Sequence, residues 1–378
     1  MSTGMVRRQI ASINAAFILT LLLIRPGWAQ QGSAPVAPGT ATPINPASGV
    51  PYQPLPEYQE KLRTVRVVGN VLDRMTPETI FWDWLGREAV AGKVLQSIPL
   101  ESARDMLIPG RNRQIPARVY TPADKQLAHD GKLPVIVYFH GGGWSLGSIN
   151  SHDSITRALA EGTPAIVVSV DYRLGPECPF PAAVHDAYTA TQWVGLHAAE
   201  FGGDPTRLAV AGDSGGGNLA TVVALIARDK AARGEPVPAI KLQALFYPSV
   251  NISDTNYPSY QQYGVGYLLT KRAVELFRGF YLPKEEDWVN PYASPLLARD
   301  LSGMAPMLLV AAGCDPLRDE GKAYADRLAH AKVKVDYRLK EGFIHGFLSD
   351  FNREPKALSD QVKKVIDEST GAMRDALR

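Results

Sequence analysis

The sequence is poor in cysteine and carries no excess of either charge. Only two of its 378 residues are cysteines, Cys178 and Cys314, too few for a disulfide framework to hold a chain of this length together. The 40 Lys and Arg residues nearly balance the 38 Asp and Glu residues, so the chain lacks the basic surplus that favours nucleic-acid binding. It also lacks Cys-x-x-Cys pairs and histidine-rich ligand spacings, and we therefore expect no metal site.

Long apolar runs are scarce too, and the most conspicuous one lies near the N-terminus. It covers residues 15–24, follows two arginines and is followed by small residues that end at Ala29. This arrangement is typical of a signal peptide, so we predict that residues 1–29 direct export to the periplasm or the medium and are removed. The run is short for a bilayer span, and no stable membrane span is expected after cleavage. An uncleaved N-terminal membrane anchor is the alternative, since Arg25 directly follows the run.

The chain does have an apolar content of 45%, enough for one large globular domain with a sizeable core. Residues 30–56 are rich in Pro, Ala, Gly, Ser and Thr and are predicted to form a flexible linker. From about residue 103, strand-like segments alternate with helical patterns, which predicts an α/β protein with a mostly parallel sheet between helices. The predicted strands cover 104–108, 115–121, 134–140, 166–171, 207–212, 241–247, 306–312 and 334–339. The predicted helices cover 153–161, 182–199, 215–233, 271–281, 319–331 and 355–369.

One glycine-rich turn stands out within this alternating region. The sequence Gly-Asp-Ser-Gly-Gly at 212–216 follows an apolar strand and precedes a helical run, which matches the G-x-S-x-G nucleophile elbow. Such a corner exposes a serine hydroxyl on a strained backbone, and a Cβ at the flanking glycines would collide across the turn. A serine also needs a base and an oxyanion hole before it can act as a nucleophile, so the turn alone predicts little for Ser214.

Candidates for these further parts lie after other predicted strands. A histidine and three glycines at 140–143 follow one strand, and a glycine run lets backbone N–H groups approach a substrate carbonyl. Asp315 directly follows another strand, and His345 lies in a loop after the last one. The chain order Ser214, Asp315, His345 is the order expected of an α/β-hydrolase.

Four sequence blocks make the resemblance specific. They are HGGGW at 140–144, DYRLGPE at 171–177 with FPAA at 180–183, GDSGG at 212–216, and DPLRDE at 315–320 followed by His345. In this order and spacing they resemble the hormone-sensitive-lipase-like bacterial carboxylesterases of the α/β-hydrolase fold. There are two departures from the family pattern. Gly215 replaces the alanine usual after the serine, and Cys178 stands where the family often has histidine.

The resemblance implies an eight-stranded, mostly parallel sheet flanked by helices and covered by a helical cap. It assigns residues 57–102 to the N-terminal cap segment and residues 248–290 to a second cap segment. The α/β-hydrolase core would then comprise residues 103–247 and 291–378. The resemblance also implies a small-molecule ester substrate and no cofactor. An exposed cap surface is compatible with a homodimer, which the sequence neither requires nor excludes.

Each catalytic assignment has a rival in the sequence. Ser214 is the predicted nucleophile, His345 its general base and Asp315 the acid that orients the imidazole. Asp319 is the other acid in reach and is expected to cap the following helix. His140 is the other histidine in a motif and is expected to brace the glycine loop. The two cysteines could pair in an exported protein or remain as small apolar residues, and two cysteines alone do not decide this.

Backbone N–H groups and aromatic side chains complete the predicted site. The oxyanion donors are the N–H groups of Gly142, Gly143 and Gly215. The aromatic residues expected to line the substrate pocket are Trp144, Phe343 and Phe347, although aromatic residues beside a core often belong to the core. Asp213 is expected to brace the elbow. A buried polar support near the oxyanion loop is expected from Asp171, Tyr172 and Arg173 with Glu177.

These assignments predict an exported serine carboxylesterase that hydrolyses short- to medium-chain acyl esters through an acyl-enzyme. Two alternatives stay open at this stage. The same chemistry serves other acyl bonds, such as those of acetylated sugars, lactones, amides or formamides, and only pocket shape distinguishes them. A non-catalytic, ligand-binding relative is a third reading, and retention of Ser214, Asp315 and His345 argues against it.

Overall fold

The computed structural model describes residues 52–68, 71–77, 79, 98–353 and 355–378. The predicted signal peptide at 1–29 and nearly all of the predicted linker at 30–56 lie outside these residues, so both stay predictions.

Eight strands form one sheet in the order β1-β2-β4-β3-β5-β6-β7-β8. They are β1 Ser102–Pro109, β2 Gln114–Thr121, β3 Leu133–Phe139, β4 Ile166–Val170, β5 Gly203–Asp213, β6 Ile240–Phe246, β7 Met307–Cys314 and β8 Val335–Ile344. The β1–β2 and β2–β4 pairs are antiparallel, and the remaining neighbours in the sheet, from β4 through β3, β5, β6 and β7 to β8, pair in parallel. The predicted eight-stranded, mostly parallel sheet is therefore confirmed. Among the strands, the largest difference from the predicted bounds is at β8, whose predicted end is residue 339 and which continues to Ile344.

Helices cover both faces of this sheet. The α-helices of the described residues are α1 Gln59–Val68, α2 Asp153–Gly162, α3 Ala182–His197, α4 Gly215–Ala231, α5 Pro258–Tyr263, α6 Lys271–Tyr281, α7 Arg318–His330 and α8 Lys356–Ala376. Each of the six predicted helices overlaps one of these. The sequence pattern did not predict α5, which has only six residues and begins at Pro258.

Strand β3 shows how the core is divided between the two faces. Its seven residues are all buried, as expected for a central strand of a sheet covered on both sides. Val137 and Phe139 belong to the apolar cluster that includes residues of α3, α4 and α7. Ile136 and Tyr138 belong to the opposite cluster, which includes residues of α2 and α8. The alternation of neighbouring residues between faces follows from strand geometry.

A third apolar cluster, here called the cap cluster, lies apart from the two sheet faces. Its buried members are Met75, Leu146, Tyr260, Leu269, Ala273, Phe277 and Leu317. Thr270 caps helix α6, because its hydroxyl accepts a hydrogen bond of 3.0 Å from the Ala273 N–H. The same hydroxyl hydrogen-bonds to Asp73. The predicted second cap segment thus contacts the described part of the predicted first one.

Helix α1 and the turn before it make different contacts from residues 71–75. Lys61 Nζ lies 2.9 Å from Asp350 Oδ1, and Gln361 Nε2 of helix α8 donates a hydrogen bond of 2.6 Å to Glu57. The start of the predicted N-terminal cap segment therefore packs beside the C-terminal helix. Among the described residues, no helix is both long and apolar enough to cross a membrane.

Candidate active site

The carboxyl ends of four parallel strands bring the predicted site residues to one edge of the sheet. Ser214 follows β5, Asp315 follows β7, and His345 follows β8. The glycine loop at 140–147 follows β3, which is hydrogen-bonded to β5. Ligands of open α/β sheets bind at this edge, in the crevice between the loops that leave the strands.

Ser214 sits on a strained turn between β5 and α4. Its backbone has φ 54° and ψ −119°, a region that a residue with a side chain rarely adopts. The turn is too tight for flanking side chains, because a methyl group on Gly212 would lie 2.4 Å from the Gly216 carbonyl oxygen. A methyl group on Gly216 would lie 2.0 Å from the Phe139 carbonyl oxygen. The steric reason expected for these glycines therefore holds in the structure.

A chain of hydrogen bonds joins the three predicted catalytic side chains. His345 Nε2 lies 2.9 Å from Ser214 Oγ, and His345 Nδ1 lies 2.8 Å from Asp315 Oδ2. Asp315 is fully buried, and its other carboxylate oxygen accepts a hydrogen bond of 2.8 Å from the Leu317 N–H. The carboxylate is thus held in place and can keep a proton on Nδ1. That tautomer leaves Nε2 free to accept the serine proton.

The two rival residues make other contacts. The Asp319 carboxylate accepts hydrogen bonds from the Ser259 N–H at 2.8 Å and from Arg318 Nε at 2.7 Å. It lies inside the first turn of α7, whose N-cap residue is Leu317, so the expected capping role is wrong. Asp319 instead fixes the start of α5.

His140 braces the glycine loop, as expected. Its Nδ1 lies 2.9 Å from the Gly141 carbonyl oxygen, and its ring stacks on Tyr172 with the centroids 4.3 Å apart. Burial lowers the pKa of His140 to about 3, so the imidazole is neutral near pH 7. The Tyr172 hydroxyl donates a hydrogen bond of 2.6 Å to the His140 carbonyl oxygen. Glu177 is exposed, so its predicted part in a buried polar support is wrong.

The glycine loop presents backbone donors beside the serine. Gly142 has φ 121° and Gly143 has φ 59°, and the Leu146 N–H closes the loop onto the Gly142 carbonyl oxygen at 2.8 Å. Within the described part of the chain, the N–H groups of Gly142, Gly143 and Gly215 have no hydrogen-bond acceptor. An oxyanion hole requires donors that are free in this way, and the assignment of these three N–H groups to it stays a prediction.

Asp213 ties the elbow to the glycine loop. Its Oδ1 accepts hydrogen bonds from the Tyr138 hydroxyl at 2.7 Å and the Gly141 N–H at 2.9 Å. His152 Nε2 lies 3.3 Å from the same oxygen. Burial by itself would raise the pKa of Asp213, but His152 and Tyr138 outweigh it and lower that pKa. The predicted bracing role of Asp213 agrees with these contacts, whereas His152 carries no sequence signal that would have identified it.

The three predicted pocket aromatics lie at different places. Trp144 lies over the elbow, because a methyl group on Gly215 would be 3.3 Å from its indole. The glycine at this position therefore gives the indole room. Phe343 and Phe347 pack against each other in the core, and Phe347 is fully buried. Phe347 lies edge-on to Tyr247, which in turn contacts His345. A role of the two phenylalanines in binding substrate stays a prediction.

Two further expectations concern cysteines and metals. Cys178 and Cys314 are both free thiols, which answers the question the sequence left open. Over the described ranges, no group of three or more His, Cys, Asp or Glu side chains is arranged to hold a metal ion.

Comparison with known proteins places this site in a family. Residues 136–349 match the family model described as an alpha/beta hydrolase fold, and because that match covers more than half of the chain, the protein belongs to this α/β-hydrolase family. Two of the similar proteins are named as ester hydrolases. The chain is 47% identical over 249 residues to the carboxylic ester hydrolase LipN of Mycobacterium tuberculosis. It is 43% identical over 238 residues to the carboxylesterase NlhH of the same species.

The extent of these matches differs between relatives. The LipN alignment covers 65% of this chain and 64% of LipN, and the NlhH alignment covers 62% of this chain and 72% of NlhH. A solved structure, a hyperthermophilic esterase from the archaeon Pyrobaculum calidifontis, covers more. It superposes with a TM-score of 0.74 at 37% identity, over 85% of this chain and 98% of that chain. The predicted family and fold are confirmed.

Proposed function

We propose that the protein is a serine carboxylesterase that hydrolyses short- to medium-chain acyl esters. The observation that carries this proposal is the continuous hydrogen-bonded chain from Asp315 through His345 to Ser214. The names of the relatives support it, since LipN is a carboxylic ester hydrolase and NlhH a carboxylesterase.

In the proposed mechanism, His345 Nε2 takes the proton of Ser214 Oγ as that oxygen attacks the acyl carbon. The carbonyl oxygen becomes an oxyanion, which accepts hydrogen bonds from backbone N–H groups of the glycine loop and Gly215. Collapse of this intermediate breaks the ester C–O bond, and the imidazolium returns its proton to the leaving alcohol. A water molecule deprotonated by the same imidazole then releases the acid and restores Ser214. Asp315 stabilises the imidazolium in both halves of the reaction.

The preference for shorter acyl chains rests on the proposed cap. Residues 57–102 and 248–290 would together cover the site, and the hydrogen bond between Asp73 and Thr270 supports their association. A covered site encloses a limited length of acyl chain. We therefore expect turnover to fall once the acyl chain exceeds the space under the cap.

The test is hydrolysis of a p-nitrophenyl ester series, from acetate to palmitate, by residues 30–378 and by the Ser214→Ala variant. We expect activity that is greatest with the shorter chains and absent in the variant. A folded protein that hydrolyses none of these esters would contradict the proposal and favour another acyl bond, such as that of an amide or an acetylated sugar. Organophosphate labelling at Ser214 would separate that outcome from a non-catalytic binding protein.

We also propose that the protein is exported. The support is the apolar run at 15–24 between arginines and small residues, a pattern typical of signal peptides. When the full-length chain is expressed, the product should be recovered outside the cytoplasm. Mass spectrometry after cell fractionation should show that its N-terminus is Gln30. Recovery of the intact chain with the membrane fraction would support the alternative anchor.

The homodimer prediction has no support beyond the expected cap surface. Analytical ultracentrifugation of residues 30–378 at several concentrations decides between monomer and dimer.

A further inference from the structure

Helix α6 of the proposed cap touches the glycine loop through an aromatic ring. A methyl group on Gly143 would lie 2.4 Å from Cγ of Phe277 and 2.5 Å from its Cδ1. The ring therefore packs directly on the Cα of Gly143. Phe277 is itself buried, with 6% of its surface exposed, so the contact is part of a packed interior.

Gly143 has little else to hold it in place. In the described part of the chain, its N–H and carbonyl groups form no hydrogen bond. The loop is closed instead by its neighbours, since Leu146 and Ser145 both donate to the Gly142 carbonyl oxygen. A glycine is the residue with the greatest backbone freedom, and this one has φ 59°. Packing is thus the interaction that fixes the direction of its N–H.

The ring of Phe277 is well anchored. It belongs to the cap cluster with Leu146 of the glycine loop and with Leu317, which follows Asp315 by two residues. One helical turn further along α6, Tyr281 stacks on Trp144 with centroids 4.6 Å apart and planes inclined by 7°. Residues i and i+4 share one face of a helix, so α6 lays two aromatic rings along consecutive residues of the glycine loop.

We infer that Phe277 is a positioning residue for the oxyanion hole: its ring holds Gly143 so that the Gly143 N–H points to the oxyanion. This inference rests on the proposed esterase function. It also means that the position of the proposed cap affects catalysis. If α6 moved away from the glycine loop, the Gly143 N–H would no longer be held in place.

Two variants test the inference by different routes. In Phe277→Ala the ring is absent, and Gly143 gains freedom in the space left behind. Loss of one oxyanion donor lowers turnover by about 10²–10³, and partial misplacement by less, so we expect kcat to fall at least about tenfold. KM should change far less than kcat, since the donor acts on the transition state. Phe277→Leu keeps an apolar contact on Gly143 and should recover part of the lost kcat.

The matched control is Phe280→Ala, on the same helix. Phe280 is half-buried and packs against the same cap cluster, so its truncation also weakens the cap. We expect its kcat to stay within about twofold of the parent protein. Inhibition by an aryl trifluoromethyl ketone, which forms an oxyanion adduct with the serine, should weaken in parallel with kcat for Phe277→Ala only.

Backbone NMR relaxation provides a readout that does not depend on turnover. The order parameter of the Gly143 amide should be lower in Phe277→Ala than in the parent protein and in Phe280→Ala. An unchanged order parameter would overturn the inference even if no ester were hydrolysed. If Phe277→Ala is active with a raised KM and an unchanged kcat, Phe277 contacts the substrate and does not position the oxyanion donor. If kcat falls equally in Phe277→Ala and Phe280→Ala, Phe277 has a structural role only. Complete inactivity of the parent protein would instead contradict the proposed function.

Discussion

At the scale of single residues, two acids four positions apart have separate tasks. Asp315 contacts the imidazole of His345, whereas Asp319 holds the Ser259 N–H and the Arg318 guanidinium. In Asp315→Asn, the amide can present its NH₂ to Nδ1 and so favour the wrong tautomer of the imidazole. We expect kcat to fall by about 10⁴, measured with p-nitrophenyl acetate.

Asp319→Asn is the control for that substitution. Its side-chain oxygen can still accept from the Ser259 N–H, so we expect kcat within about threefold of the parent protein. Equal losses in the two variants would contradict the assignment of Asp315 as the orienting acid. A larger loss in Asp319→Asn would reverse it.

Glu320 is a buried acid that the proposed chemistry does not use. Its Oε1 accepts hydrogen bonds from the Val250 N–H at 2.8 Å, the Ser249 hydroxyl at 3.2 Å and the Asn251 N–H at 3.3 Å. Its Oε2 accepts from the Tyr260 hydroxyl at 3.0 Å. Burial raises the pKa of Glu320 from 4.5 to about 8, although these hydrogen bonds act against the rise. Glu320 thus joins α7 to the loop that follows β6.

This raised pKa gives the free energy of unfolding a defined pH dependence. With this raised pKa, we expect the folded protein to retain a proton at Glu320 between pH 4.5 and about 8 that the unfolded chain loses. Glu320 therefore favours folding less as the pH rises through this window, by up to about 1.4 kcal/mol per pH unit. In Glu320→Gln the side chain stays neutral, and this part of the slope should vanish from urea unfolding measured across the window. Identical slopes in the two proteins would show that Glu320 is ionised in the fold.

At the scale of elements, the glycine loop after β3 depends on conformations that side chains resist. Gly142 has φ 121°, and a methyl group there would lie 2.2 Å from the Leu146 carbonyl oxygen. In Gly142→Ala the loop must open, which moves its N–H groups away from Ser214. We expect kcat to fall by about 10²–10³, as for loss of an oxyanion donor.

Gly131→Ala separates this effect from the strain of positive φ alone. Gly131 has φ 72°, and a methyl group there would have nothing within 4 Å. We expect this variant to lose about 1 kcal/mol of stability while its kcat is unchanged. A kcat loss in Gly131→Ala as large as that in Gly142→Ala would mean that the oxyanion loop has no special role.

The elements and the site differ in how far the sequence could predict them. Strands and helices follow from local apolar patterns, and the tight turn at Ser214 follows from glycines whose added methyl groups would meet backbone oxygens. Contacts between distant elements leave no such pattern. The packing of Phe277 on Gly143 joins residues far apart in the chain, and His152 meets Asp213 only because the loop after β3 folds back. These residues could not be recognised until the elements had been placed together.

At the scale of the whole molecule, the sheet explains why distant residues form one site. Parallel pairing from β3 to β8 aligns the carboxyl ends of the strands, so the loops after β3, β5, β7 and β8 meet without any covalent cross-link. The sequence predicted the order of the catalytic residues along the chain, and the topology of the sheet brings them together in space. The same sheet, with apolar clusters on both faces, supplies the core that a disulfide framework supplies in small secreted domains.

The fold should therefore be indifferent to reducing agents, whether or not the protein is exported. Cys178 is half-buried, whereas Cys314 is fully buried, and burial raises the pKa of its thiol to about 12. Thiolate is the reactive form, so titration with Ellman's reagent should detect one thiol in the native protein and two after denaturation. The midpoint of thermal unfolding should be the same with and without dithiothreitol. The contrary outcome is that neither thiol reacts in denaturant and that dithiothreitol lowers the midpoint of thermal unfolding. The cysteines would then be paired, and a disulfide would contribute to a fold that packing alone is expected to maintain.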